Sequence, residues 1–210
     1  MKCTHCDSPV SDTARFCENC GSMLRGDDVT RRLTDAYRLE ISGKLGEAVG
    51  CYERLLQSSE AGIESTVVRK HLGNLHFRMG HLRSAREHLI GATEVGAGNA
   101  ALWHDLGVVE YHMADFDRAV DAFRHALVAD PNLHLSYFWL GNALYHRGDY
   151  KSAANAFREL LDRYPNFTIA RFHLGVIYAR QGDDRKAKEQ FHKLLLHNPD
   201  DVAARYYVAK

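Results

Sequence analysis

At 210 residues, 45% of them hydrophobic, the chain is long enough for one or two folded domains and too apolar for a disordered polymer. Its formal net charge is +0, from 27 basic and 27 acidic residues, which excludes a polyanion binder driven by bulk charge. No apolar run reaches the roughly 20 residues that span a bilayer. The start, MKCTHC, lacks the apolar stretch of a secretory signal, so a cytoplasmic protein is expected.

Four of the five cysteines lie at positions 3, 6, 17 and 20. Without a secretory signal a disulfide framework is not expected, and clustered thiols point instead to a metal. The spacing is Cys3-x2-Cys6, then Cys17-x2-Cys20. Each pair can turn tightly and aim two thiolates at one ion from about 2.3 Å. Gly21 follows the second pair, where such a turn often needs positive φ. Four thiolates close a tetrahedral shell and leave no position for a catalytic water, so the metal has a folding role. About 25 residues bury too little core to fold unaided, and metal binding supplies the stability. An all-sulfur site suits iron as well as zinc. Neither pair is followed by His, as covalent haem requires, and no βαβ pattern surrounds a redox dithiol. His5, between the first two cysteines, is not expected to be a ligand.

The stretch CTHCDSPVSDTARFCENCG, with Ala14-Arg15-Phe16-Cys17 and Cys20-Gly21, resembles the short zinc ribbons at the N-termini of many prokaryotic proteins. The resemblance implies one structural Zn²⁺ held by Cys3, Cys6, Cys17 and Cys20, in a module over 1–25. Lys2, Arg15 and Arg25 are balanced there by Asp7, Asp12 and Glu18. Four thiolates around one zinc add further negative charge, which makes a poor grip on phosphates.

Residues 26–28 form a short polar link, in which Asp27 or Asp28 is placed to cap the next helix. Beyond it a 34-residue period takes over. Leu106-Gly107, Ala119, Phe123 and Pro131 return as Leu140-Gly141, Ala153, Phe157 and Pro165, and again as Leu174-Gly175, Ala187, Phe191 and Pro199. A fixed period of this length marks an array in which each unit buries its apolar face against the next. Within 134–167 the pattern predicts helices over 135–146 and 150–163. Arg147-Gly148-Asp149 breaks the first, and Tyr164-Pro165-Asn166 ends the second. Small residues (Gly141, Ala153) stand where the helices approach, and Leu140, Leu144 and Phe157 fill the space around them.

These units resemble tetratricopeptide repeats, through Trp103, Leu106-Gly107, Ala119, Phe123 and Pro131 in one unit and Leu174-Gly175, Tyr178, Ala187, Phe191 and Pro199 in another. The resemblance implies a mainly α fold, a right-handed solenoid of helix pairs following the small ribbon. The repeats are placed at 29–62 (degenerate, with Ala36 in the glycine slot), 66–99, 100–133, 134–167 and 168–201. The three residues 63–65 are expected to lengthen a connection. A capping helix over 202–210 covers the last unit with Tyr206, Tyr207 and Val208.

In that family the first helices line the concave face. Stepping by 34 gives the ladders Arg78, His112, His146, Arg180; Phe77, Tyr111, Tyr145, Ala179; Lys70, His104, Phe138, Phe172, with Leu33 before them; and Asn74, Val108, Asn142, Val176. Together they predict an aromatic floor with a weakly basic edge, suited to an extended or helical peptide with acidic character. Lys70 and Asn74 match the first part of the carboxylate clamp of one family subgroup. Asp105, Leu135 and Trp139 occupy the later slots, so a complete clamp is not expected. Phe77, Tyr111 and Tyr145 equally suit contact with the next repeat. Self-association is left open.

No Gly-rich phosphate loop, GxSxG or Cys-His nucleophile pair is present, so no enzyme is expected. Asp115 and Asp183 read as helix-start acids, Cys51 as a small core residue, and Arg118, Asp121, Arg158 and Glu159 as a solvated outer face. The expectation is a protein–protein interaction scaffold carrying a structural zinc ribbon. The alternative is a nucleic-acid-associated factor that makes contact through the ribbon and recruits through the repeats.

Overall fold

The structure, a computed structural model, describes residues 2, 6, 8–10, 19–20, 28–58 and 63–209. Cys3, Cys17, Gly21 and the link at 26–27 lie outside the described residues. Two compact units, Met1–Val95 and Gly96–Lys210, are taken here one at a time.

In the first unit, Lys2 and Pro9 form an isolated antiparallel bridge. Four helices follow: α1 (Asp28–Ile41), α2 (Leu45–Ser58), α3 (Ile63–Arg78) and α4 (Leu82–Val95). Each packs on the next. Ala36, Ala48, Tyr52, Leu55, Leu72 and Leu75 form the core of the first three, and Cys51 packs at its edge as expected. Residues 63–65 do not lengthen a connection. They are the first turn of α3, because nothing in Ile-Glu-Ser breaks a helix and Ser65 is buried.

The second unit holds α5 (Ala100–His112), α6 (Phe116–Ala129), α7 (His134–His146), α8 (Tyr150–Arg163), α9 (Thr168–Arg180), α10 (Asp184–His197) and α11 (Val202–Ala209). Consecutive helices pack together, and α5 also touches α7. The helices predicted at 135–146 and 150–163 are α7 and α8 to within one residue.

Two kinds of glycine build this regularity. Gly107, Gly141 and Gly175 are there for space: a Cβ on each would fall 2.6, 2.7 and 2.8 Å from the rings of Phe123, Phe157 and Phe191. Those rings are wholly buried. Gly148 and Gly182 are there for conformation, at φ 88° and 76° with open space around them. Each lets the chain close a Schellman turn, in which the Gly148 and Asp149 N–H groups donate to Tyr145 O (3.0 Å) and Leu144 O (2.9 Å). The aspartate after each turn then caps the next helix. Asp115, Asp149 and Asp183 accept from the N–H of Arg118, Ser152 and Lys186. The first two helix-start acids named from sequence, Asp115 and Asp183, are therefore caps.

A second regular contact joins one helix pair to the next. Phe157 of α8 stacks on His173 of α9 (5.4 Å, 7°), and Phe191 of α10 stacks on Tyr207 of α11 (4.5 Å, 7°). In the first unit Tyr52 of α2 stacks the same way on His71 of α3 (5.0 Å, 7°). Helix α11 thus docks on α10 as the first helix of a further pair would. Tyr207 and Val208 cover this end, but Tyr206 does not: it is exposed.

Candidate functional site

The N-terminal thiols come first. The bridged residues Lys2 and Pro9 flank Cys3 and Cys6 in sequence. Asn19 donates from Nδ2 to Ser8 Oγ at 2.8 Å and points the same amide at Cys6 Sγ, 3.7 Å away. The Cys6 thiol is drawn down from the ordinary thiol range to about 6. The causes are hydrogen bonds from the Ser8 side chain, the Ser8 backbone, the Cys20 thiol and the Asn19 amide. A thiol so placed is a thiolate at neutral pH, the form that binds metal. Cys6 and Cys20, two of the four expected ligands, are thus within hydrogen-bond reach of each other. Cys3 and Cys17, the other two expected ligands, lie outside the described residues.

In the first unit, the ladder residues Lys70, Asn74, Phe77 and Arg78 all belong to α3. The first three are half-buried and Arg78 is exposed. Arg78 already faces a carboxylate: its Nη1 lies 3.7 Å from Glu40 Oε1 of α1. Glu40 Oε2 also accepts from the Tyr52 hydroxyl (3.2 Å) and sits 2.9 Å from His71 Nδ1. Burial first, and then the Glu40 charge, push the Tyr52 phenol upward. Glu40 thus joins three helices around one half-buried acid. Position 40 stood in no predicted ladder, because the sequence signal would have required pairing it across residues 63–65, which offset the period.

In the second unit, the ladders of α5, α7 and α9 share one aromatic face. Tyr111 meets Trp139 edge-on (5.0 Å) and His146 likewise (5.7 Å). Exposed His112 lies 5.9 Å from Trp139. His146 stacks on Phe116 (5.2 Å, 16°). Phe138 contacts Trp139, Phe157, Phe167 and His173. A His104 ring nitrogen lies 2.8 Å from Ser136 Oγ of α7. Phe172 packs on Phe191 and Tyr207. Arg180 covers the Tyr145 ring at 5.2 Å and reaches the Tyr150 hydroxyl at 3.5 Å. Among the described residues no carboxylate pairs with Arg180. Arg147, by contrast, is held by Asp117 (3.4 Å) and Asp149 (3.2 Å).

Asn142 is not on this face as an open amide. It is 7% exposed and donates to Phe138 O of its own helix at 2.9 Å, which gives it a packing role. Trp139, predicted only as a mismatch to the clamp, lies at the centre of the aromatic face; the column Asp105, Trp139, His173 would have found it. Arg118, Asp121, Arg158 and Glu159 are all exposed. A separate apolar groove of about 430 Å³, lined by Leu127, Val128, Tyr137, Leu144 and Ala156 among others, includes none of the ladder residues.

Models described as tetratricopeptide repeat match residues 71–134, 113–166 and 144–210, which is more than half of the chain. The chain belongs to the tetratricopeptide repeat family. A zinc-ribbon domain model matches residues 2–24, so this tetratricopeptide repeat protein carries a ribbon at its N-terminus. No curated protein sequence matches the chain. Among solved structures, YrrB, described as a TPR protein with an unusual peptide-binding site, superposes with TM-score 0.77 at 22% identity, over 87% of this chain and 93% of YrrB. MamA gives 0.75 at 20%, over 81% and 92%. A tetratricopeptide repeat protein from Parabacteroides merdae ATCC 43184 gives 0.78 at 16%, over 88% and 72%. At these identities the likeness is one of fold. Among the described residues no helix is long and apolar enough to cross a membrane.

Proposed function

We propose that the protein is a non-catalytic interaction scaffold. In this reading Cys3, Cys6, Cys17 and Cys20 hold one structural zinc in a ribbon over 1–25. Five repeats, at 29–62, 66–99, 100–133, 134–167 and 168–201, carry the binding surface, with a capping helix at 202–210. The ligand is a peptide segment, extended or helical, that sets an acidic side chain beside apolar ones. The observation that carries this is the Arg180 guanidinium, exposed above Tyr145 and without a carboxylate of its own. Half-buried aromatic rings around Trp139 and Tyr111 supply contact area at low entropic cost, and His112 and His146 stand exposed beside them. Phe77 and Arg78 offer similar chemistry in the first unit. The similar YrrB is itself described as having a peptide-binding site.

Panning displayed peptides against the purified protein tests this. Recovered sequences should be enriched in Asp or Glu next to apolar residues. Arg180→Glu should weaken their binding about ten-fold or more, the size of one charge-assisted hydrogen bond, with unfolding unchanged. Arg180 is the better site for this than Arg78, whose reversal would also disturb Glu40. Peptides without acidic enrichment, or equal binding by the variant, would sink the reading. The same preparation should retain one zinc per chain, and metal-free protein with a folded ribbon would remove the zinc assignment.

A further inference from the structure

Helices α3 and α4 each bring a histidine to their common interface. The rings of His76 and His88 stack face to face, with centroids 5.4 Å apart and planes at 2°. His81, in the turn between the helices, stands 5.7 Å from His76. The Nδ1 atoms of both stacked rings are buried and have no hydrogen-bond partner. Two neutral imidazoles pack in this way as flat apolar rings. Two imidazolium rings do not, because they repel and their buried N–H groups find no acceptor.

The groups around them set the balance. His76 faces His81 and, from α2, Glu53. His88 faces His76, Arg69 of α3, Glu53 of α2 and Glu87 of its own helix. Burial is the largest influence on each ring and lowers its proton affinity. His81 acts in the same sense on His76, as do His76 and Arg69 on His88; Glu53 and Glu87 oppose it. Among the described residues no three His, Cys, Asp or Glu side chains are grouped to hold a metal ion, and each partnerless Nδ1 is an atom that a proton can occupy. The corresponding slots one, two and three periods on hold Glu110 and Ala122, Leu144 and Ala156, and Tyr178 and Gln190. The device belongs to this helix pair alone.

We propose that the stacked His76–His88 pair is a proton-operated latch, which holds α4 on α3 while both rings are neutral and lets the helices part when the rings take up protons. The latch goes beyond the scaffold reading and does not depend on it, although α3 also carries Lys70, Asn74, Phe77 and Arg78. Its sign follows from linkage. With the folded proton affinity lowered, the unfolded chain binds more protons as the medium acidifies. The contribution is complete above about pH 6.5, the ordinary histidine value, and is lost as pH falls toward the lower folded values.

Hydrogen exchange on the full-length protein tests it, at about pH 7.5 and about pH 5.5 and corrected for the intrinsic rate. Protection of segment 63–95 should fall several-fold at the lower pH. His88→Phe keeps a flat ring without a titrating nitrogen and should abolish that fall. No fall in the native protein, or the same fall in the variant, would overturn the latch. Should the variant not fold, the ring resonances of His76 and His88 in the native protein decide: midpoints below about 6.5 are required, and midpoints at or above it refute the proposal.

Discussion

The two units solve one packing problem with different chemistry. In the second, a glycine of the first helix faces a phenylalanine of the second three times over, at Gly107 and Phe123, Gly141 and Phe157, Gly175 and Phe191. In the first, the equivalent pairing is Gly73 with Leu89, and Tyr52 fills the slot before it with its hydroxyl tied to Glu40. The turns differ in parallel. Asp115, Asp149 and Asp183 cap α6, α8 and α10, whereas Lys44 and His81 precede α2 and α4. Neither side chain offers the carboxylate that accepts from the first N–H groups and complements the macrodipole. The second unit is held mostly by apolar packing, with His173 the buried imidazole that enters it, against Phe157. The first adds a stacked pair of histidines, His76 and His88, where the second has Glu110 and Ala122, Leu144 and Ala156, and Tyr178 and Gln190.

The largest effect that tests this contrast is at Phe157. Its ring is wholly buried, fills the space left by Gly141 and stacks on His173 of the following pair. Phe157→Ala should cost about 3–5 kcal/mol, read from urea unfolding followed by circular dichroism. Because each repeat is stabilised by its neighbours, the loss should reach α7 and α9 as well as α8. A cost below about 1 kcal/mol would mean that the surrounding helices collapse into the void, and the ring would not be the element that distinguishes the second unit.

A smaller effect comes from moving the second unit's cap into the first. His81 stands where Asp115, Asp149 and Asp183 stand elsewhere, and its carbonyl already accepts from Ala85 N at 3.0 Å, as a capping residue's does. His81→Asp should stabilise the protein by about 1 kcal/mol, measured as a rise in the unfolding midpoint at neutral pH. It also sets a carboxylate beside His76 in place of an imidazole, so acid sensitivity of segment 63–95 should diminish. A lowered midpoint would show that the His81 ring contributes more through its contact with His76 than the missing cap costs.

The repeats were legible because punctuation recurs with the period. Gly148, Asp149 and Pro165 fix where α7 and α8 begin and end, and these are local signals. The candidate face was legible only in outline. Stepping by 34 finds the residues on one side of each first helix, but it does not say which of them turn inward. Tyr111 is claimed by Trp139 and His146 of the next repeat, and Asn142 by a carbonyl of its own helix. Both fates depend on side-chain partners that periodicity does not encode. The His76–His88 stack was hidden for a related reason. Its members lie on two antiparallel helices, so a search for paired histidines on one helix face passes over them. Glu40 was missed because residues 63–65 extend α3 and shift the period between it and His71.

The smallest effect concerns one residue at which the second unit breaks its own rule. Four glycines end first helices with positive φ: Gly43 and Gly80 at 79°, Gly148 at 88° and Gly182 at 76°. The fifth such position is Ala114, at φ 60°. The turn there is otherwise the same, since the Ala114 and Asp115 N–H groups donate to Tyr111 O and Glu110 O, both at 3.0 Å. A Cβ in the left-handed region costs about 1–2 kcal/mol. Glycine removes that strain but gives back about 0.5–1 kcal/mol through the freedom it gains in the unfolded chain. Ala114→Gly should therefore stabilise by about 0.5–1 kcal/mol, and Gly148→Ala should destabilise by a similar amount, since nothing lies within 4 Å of the missing Cβ. The two substitutions form a matched pair at equivalent turns. If both were neutral, the turn would be set by its two hydrogen bonds and by the Asp115 and Asp149 caps, and the glycines at these helix ends would not be needed for φ.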